Sequence, residues 1–105
     1  MSLLNRKSGS TPTPGQKLTR EFTIENRLGM HARPSARFVK VTSRYKSEIL
    51  VEKDGEQVNG KSIMGLMMLA AGQGSVLKVT AEGHDAEKAL DELGALILSR
   101  FEEEH

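Results

Sequence analysis

The chain has 105 residues, enough for one small domain around a single hydrophobic core and not for two. Its net charge of +1 excludes a strongly basic nucleic-acid binder as the default reading, and 37% hydrophobic with 28% charged residues reads as soluble and globular. With no cysteine, neither a disulfide framework nor a thiolate metal site can form. No apolar run is long enough to span a bilayer and no charged-then-apolar leader is visible, so a non-membrane, non-exported protein is expected.

Residues 1–17 are rich in Ser, Thr, Pro and Gly and show no periodicity, which predicts a flexible tail ahead of a single domain over 18–105. Leu18 to Ile24 alternates as a half-buried strand, with Leu18, Phe22 and Ile24 on one face. The stretch Asn26-Arg27-Leu28-Gly29-Met30-His31 follows, and a helical pattern runs from Ala32 to Tyr45. Its apolar side uses Pro34, Phe38, Val41 and Tyr45 beside Ala36 and Val39; Arg33, Arg37, Lys40 and Arg44 align on the other. That basic stripe is a candidate docking surface for acidic partners because it starts beside His31. Ser47–Lys53 predicts a second strand, Asp54-Gly55 a two-residue hairpin turn, and Glu56–Asn59 a third strand.

Gly60-Lys61-Ser62 leads into a short helix from Ile63 to about Ala70, apolar nearly all round, which Gly72-Gln73-Gly74 is expected to end. So small a helix cannot bury every side, so part of Ile63, Met64, Leu66, Met67, Met68 and Leu69 should stay exposed. Ser75–Glu82 alternates as a fourth strand. Asp85 is placed as an N-cap for a last helix whose stripe is Ala86, Ala89, Leu90, Leu93, Leu96, Ile97 and Phe101, followed by a charged, frayed end. The order βαββαβα favours an α+β domain, a four-stranded, mostly antiparallel sheet with three helices on one face. Pattern alone leaves the strand pairing open.

The chemistry concentrates at His31. A glycine two residues before it, a helix start after it and Arg33 close by place an imidazole where a helix presents unpaired N–H groups to anions. Neutral imidazole is a good phosphoryl acceptor. The helix dipole favours the phosphorylated product by about 0.3–1 kcal/mol. Arg33 can supply a forked cation, and Pro34 suits a first helical turn that needs no N–H from it. Ser62 reads as an N-cap.

Leu28-Gly29-Met30-His31-Ala32-Arg33-Pro34, with Asn59-Gly60-Lys61-Ser62-Ile63-Met64-Gly65-Leu66-Met67 downstream, resembles the HPr family, phosphocarriers of the bacterial phosphoenolpyruvate-dependent phosphotransferase system. The resemblance covers roughly residues 18–102. It implies an open-faced β-sandwich, a cytoplasmic location, and Nδ1 of His31 as the atom that carries the phosphoryl group, flanked by Arg33 and Pro34. It further implies phosphorylated enzyme I as donor and enzyme IIA-type domains as acceptors. Arg33, Arg37, Ile63, Met64 and Met67 would contact those partners, and Ser62 would be a regulatory phosphorylation site for a serine kinase/phosphorylase. A monomer without cofactor is expected. Leu28 is more like the nitrogen-related branch and Lys61–Met67 more like the sugar branch, so the branch stays open.

Other readings are weaker. His84 and His105 lack comparable settings, and no carboxylates cluster with them at metal-ligand spacing. No G-x-x-x-x-G-K-[ST] loop is present for a nucleotide. Ser35 beside His31 has no legible oxyanion hole or orienting acid, which sets a hydrolase aside. An RNA-binding domain using the basic stripe is disfavoured by 4% aromatic content. A regulatory HPr-like binding module controlled through Ser62, without phosphoryl relay, is the remaining alternative.

Overall fold

Alternation of side chains decides which face of each strand turns inward, and four strands here share one buried face. In this computed structural model, residues 16–102 are described. The tail expected over 1–17 lies outside them except for Gln16 and Lys17, as do Glu103, Glu104 and His105 of the charged end. The elements are β1 (Lys17–Thr23), α1 (Ala32–Thr42), β2 (Glu48–Lys53), β3 (Glu56–Asn59), α2 (Ile63–Met68), β4 (Val76–Glu82) and α3 (Ala86–Leu98), then a short 3-10 turn (Arg100–Glu102).

The strands pair in the order β1-β4-β2-β3, antiparallel throughout. Ile49, Val51, Leu77, Val79 and Ala81 point inward and are fully buried. Opposite them pack Phe38 and Val41 of α1, Leu66 of α2, and Ala89, Leu90, Leu93 and Ile97 of α3. The outer face is polar: Lys78 stands in register between Glu21 and Glu52, and the Thr19 and Thr80 hydroxyls meet at 2.9 Å. Opposite charges across strands suit a solvated face. The fold is thus an open sheet with three helices covering one side, and Asp54-Gly55 makes the expected β2–β3 turn with both residues at positive φ.

Several helix ends differ from the sequence expectation. α1 stops at Thr42 and not Tyr45: the Arg44 and Tyr45 N–H groups donate three residues back, to Val41 O and Thr42 O, so the last turn tightens and the helix ends. Ala36, placed on the apolar side by periodicity, is exposed. α2 ends at Met68, and the left-handed residue after it is Ala70 (φ 51), not Gly72. α3 ends at Leu98; Phe101 is buried through a left-handed turn of Arg100, Phe101 and Glu102 and not by continuing the helix.

Asp85 precedes α3 as expected but does not cap it. Its carboxylate instead accepts from the backbone N–H groups of Lys46 and Ser47, at 2.9 and 3.0 Å, and from the Ser47 hydroxyl at 2.5 Å. It therefore pins the α1–β2 connection to the start of α3. Burial alone would raise its pKa, but the Ser47 hydroxyl and the two backbone donors, with a smaller push from His84, lower it from 3.8 to about 2.

Asp85→Asn tests this tie. However an amide is turned, its NH2 group faces one of those donors, so the variant should lose about 1–3 kcal/mol at neutral pH. A carboxylate with a depressed pKa stabilises above its unfolded value and loses that contribution as pH falls. The difference between wild type and variant should shrink as pH falls below the ordinary value of 3.8 and be lost as it falls through about 2. Denaturant melts across that window measure it; a pH-independent difference would contradict the assignment.

Candidate functional site

β1 and β4 pair up to Thr23 opposite Val76, so the segment leaving β1 and the segment entering β4 emerge at the same end of the sheet. Backbone bonds stitch the two together. The Ile24 N–H donates to Ser75 O and the Gly74 N–H to Ile24 O, both at 2.8 Å, and the Met30 N–H donates to Ala71 O at 2.8 Å. Gly29 makes the approach possible. It sits at φ +67, and a Cβ there would collide with the Ala71 carbonyl and lie 2.7 Å from Gly72 Cα.

His31 follows directly, at the N-cap position of α1 in extended conformation (φ −76, ψ −171). Its side chain is exposed and makes no capping hydrogen bond. The backbone around it is held tightly. Asn26 Nδ2 donates to Gly29 O at 2.8 Å, the Ser35 hydroxyl donates to Met30 O at 3.2 Å, and the Ser35 N–H donates to His31 O at 2.9 Å. The Ser35 hydroxyl is thus engaged with Met30 and not with His31. The result is a tightly held backbone carrying an exposed imidazole, set at the positive pole of an eleven-residue helix.

Arg33 is exposed in the first turn of α1, two residues from His31, and Pro34 is buried beside it. The basic stripe is not four equivalent cations. Arg37 is half-buried and donates to the Phe101 carbonyl. Arg44 pairs with Glu92, whose other oxygen accepts the Tyr45 hydroxyl at 2.5 Å. The Tyr45 hydrogen bond, helped by Arg44, holds the Glu92 carboxyl below its usual range, and it raises the Tyr45 phenol. Lys40 stays on the exposed side.

α2 completes the surface. Ser62 caps it by accepting the Gly65 N–H at 2.9 Å. Leu66 and Leu69 are buried, while Met64, Met68, Met67 and Ile63 are 72%, 67%, 42% and 41% exposed, so the outward side of the helix is continuous apolar surface. Met68 belongs to this patch although sequence reasoning did not assign it to partner contact; its spacing of four from Met64 was the available signal. Met67 and His31 line one shallow depression with Leu28, which is 66% exposed. The patch therefore reaches the histidine. His84 is exposed on the turn before α3 and is not part of this region. Among the described residues, no group of three or more His, Asp or Glu side chains could hold a metal ion, and no helix is long and apolar enough to cross a membrane.

Comparison with known proteins agrees with this geometry. A family model described as the PTS HPr component phosphorylation site matches residues 18–99. Phosphocarrier protein HPr of Cupriavidus necator is 46% identical over 86 residues, which cover 82% of this chain and 97% of that protein. The HPr-like protein Crh of Halalkalibacterium halodurans is 46% identical over 78 residues, 74% of this chain and 93% of that one. The crystal structure of HPr from Thermoanaerobacter tengcongensis gives a TM-score of 0.78 at 49% identity, covering 86% of this chain and 99% of that one. Sequence and fold both match over nearly the whole length of these relatives, and so this chain belongs to the HPr family of phosphocarrier proteins of the phosphotransferase system.

Proposed function

We propose that His31 accepts a phosphoryl group from phosphorylated enzyme I and passes it to an enzyme IIA-type domain. The observation that carries this reading is the exposed imidazole of His31 on an immobilised backbone at the N-terminus of α1. In the forward step an imidazole nitrogen, Nδ1 by family resemblance, forms a new P–N bond while the bond to the donor breaks. Transfer to the acceptor reverses this, so the chain relays a group and turns nothing over alone. Arg33 supplies positive charge to the transferring oxygens, and Pro34 shapes the first helical turn. The apolar side of α2, Ile63, Met64 and Met67 together with Met68, docks the partners beside His31, with Arg33 and Arg37 at its basic border. A monomeric, cytoplasmic protein without cofactor fits this role.

A second reading concerns control of the same surface, because Ser62 caps α2 next to the docking residues. Phosphorylation of Ser62 by a serine kinase/phosphorylase would place a dianion at a helix N-terminus, which tolerates it, and against an apolar docking face, which does not.

Three variants test these roles. His31→Ala should fold within about 1 kcal/mol of wild type, since the ring is exposed, and accept no acid-labile phosphoryl group from phosphoenolpyruvate and enzyme I. Retained labelling, read by mass spectrometry, would move the acceptor elsewhere. Arg33→Ala should slow transfer about tenfold or more with the fold intact, and Arg33→Lys should recover only part of it, because an ammonium lacks the fork. Equal rates in all three proteins would make Arg33 a bystander. Ser62→Asp should keep its melting temperature within a few degrees, about the scale of one kcal/mol, yet bind enzyme I roughly tenfold more weakly, a loss of about 1.4 kcal/mol. Wild-type affinity in titration calorimetry would leave Ser62 as a cap alone.

A further inference from the structure

Asn26 is buried, at 2% exposure, in the loop that carries His31. Its Nδ2 donates to the Gly29 carbonyl at 2.8 Å, and its own backbone carbonyl accepts the Gly29 N–H at 3.2 Å. Its side-chain oxygen has no hydrogen-bond partner although it is buried. An amide satisfied on one side only is a poor choice for stability. The orphaned oxygen has lost water and gained nothing, and an alanine would carry no such group. Aspartate would be worse, since a carboxylate oxygen would face the Gly29 carbonyl. What asparagine alone contributes is the N–H aimed at Gly29.

That N–H acts on one peptide plane. The Gly29 carbonyl is held by Asn26, and the N–H at the other end of the same peptide, that of Met30, is held by Ala71 O at 2.8 Å. With both ends fixed, the plane cannot rock, and His31 is the next residue. Released from Asn26, the Gly29 carbonyl could swing while the Ser35 bonds still held α1 behind it. The imidazole would then move relative to the docking face of α2.

We infer that Asn26 is a positioning residue for phosphoryl transfer: by fixing the Gly29–Met30 peptide it sets the direction from which His31 meets the incoming phosphoryl group. This rests on His31 being the acceptor. Group transfer is sensitive to such placement, a displacement of about 1 Å being able to cost on the order of 100-fold in rate.

The test is Asn26→Ala, measured for stability and for single-turnover phosphorylation by phospho-enzyme I beside wild type. The expected result separates the two measurements. The variant should stay folded with a melting temperature within a few degrees of wild type, because loss of the orphaned oxygen offsets the Gly29 carbonyl left without its donor. Its rate at saturating donor should fall about tenfold or more, with an unchanged half-saturating concentration because the α2 face is untouched. Amide exchange should quicken at Met30 and His31 and stay unchanged in the strands. A wild-type rate in the variant overturns the positioning role while leaving His31 as acceptor. So does a loss of stability that accounts for the lost rate, since Asn26 would then be structural only. Absence of labelling on wild-type His31 overturns the acceptor assignment and this inference with it.

Discussion

The crossing of two backbone segments at Gly29 and Ala71 governs what this molecule can do. The Met30 N–H reaches Ala71 O at 2.8 Å only because position 29 has no side chain. Through that contact the segment carrying His31 is fastened to the segment leaving α2. The histidine and the exposed methionines then lie on one rigid surface, although they are more than thirty residues apart in the chain. A partner docking on Met64 and Met67, as proposed, would thereby meet the backbone of His31 in a fixed place. Orientation of this kind carries much of the barrier reduction available to a group transfer, since there is little other covalent chemistry for a protein to do.

A period of two made the strands legible, most clearly in β4: Leu77, Val79 and Ala81 alternate with Lys78, Thr80 and Glu82, and all three are buried. The sequence made His31, Ser62 and the α2 patch nameable because loop, cap and excess apolar residues leave local signatures. What it could not reveal were bonds made between distant segments. Asp85 has the chemistry of a cap, but its carboxylate is drawn to Lys46 and Ser47, some forty residues away. Arg37 has the spacing of a solvated face, yet Phe101 O takes it. The helix end expected of Gly72-Gln73-Gly74 comes earlier, with Ala70 left-handed just before Ala71 presents its carbonyl to Met30. In each case tertiary geometry overrode a correct local propensity.

The engagement of Arg37 and Arg44 changes the reading of the basic stripe. A guanidinium already bonded to the Phe101 carbonyl or to Glu92 must exchange that contact to bind an acidic partner, so its net gain is small. Charge on α1 therefore contributes mainly to encounter and orientation. On the proposed docking role, binding strength has to come from the methionine face, whose flexible thioethers can fit more than one partner surface in turn.

If His31 is the acceptor we propose, it must also give up what it takes. Had His31 been capped by its own side chain, or buried, phosphorylation would have broken a hydrogen bond or dehydrated an anion, and the step would run well in one direction only. Here the ring is exposed and makes no cap hydrogen bond. The stabilisation on offer is the pole of α1, about 0.3–1 kcal/mol, with Arg33 at the edge. On the proposed role, rigidity resides in the backbone, through Gly29, Met30 and Ser35, while the exposed His31 side chain that would bear the group makes no capping hydrogen bond. That division gives accurate delivery without a deep product well, which is what passage of a phosphoryl group through an intermediate carrier requires.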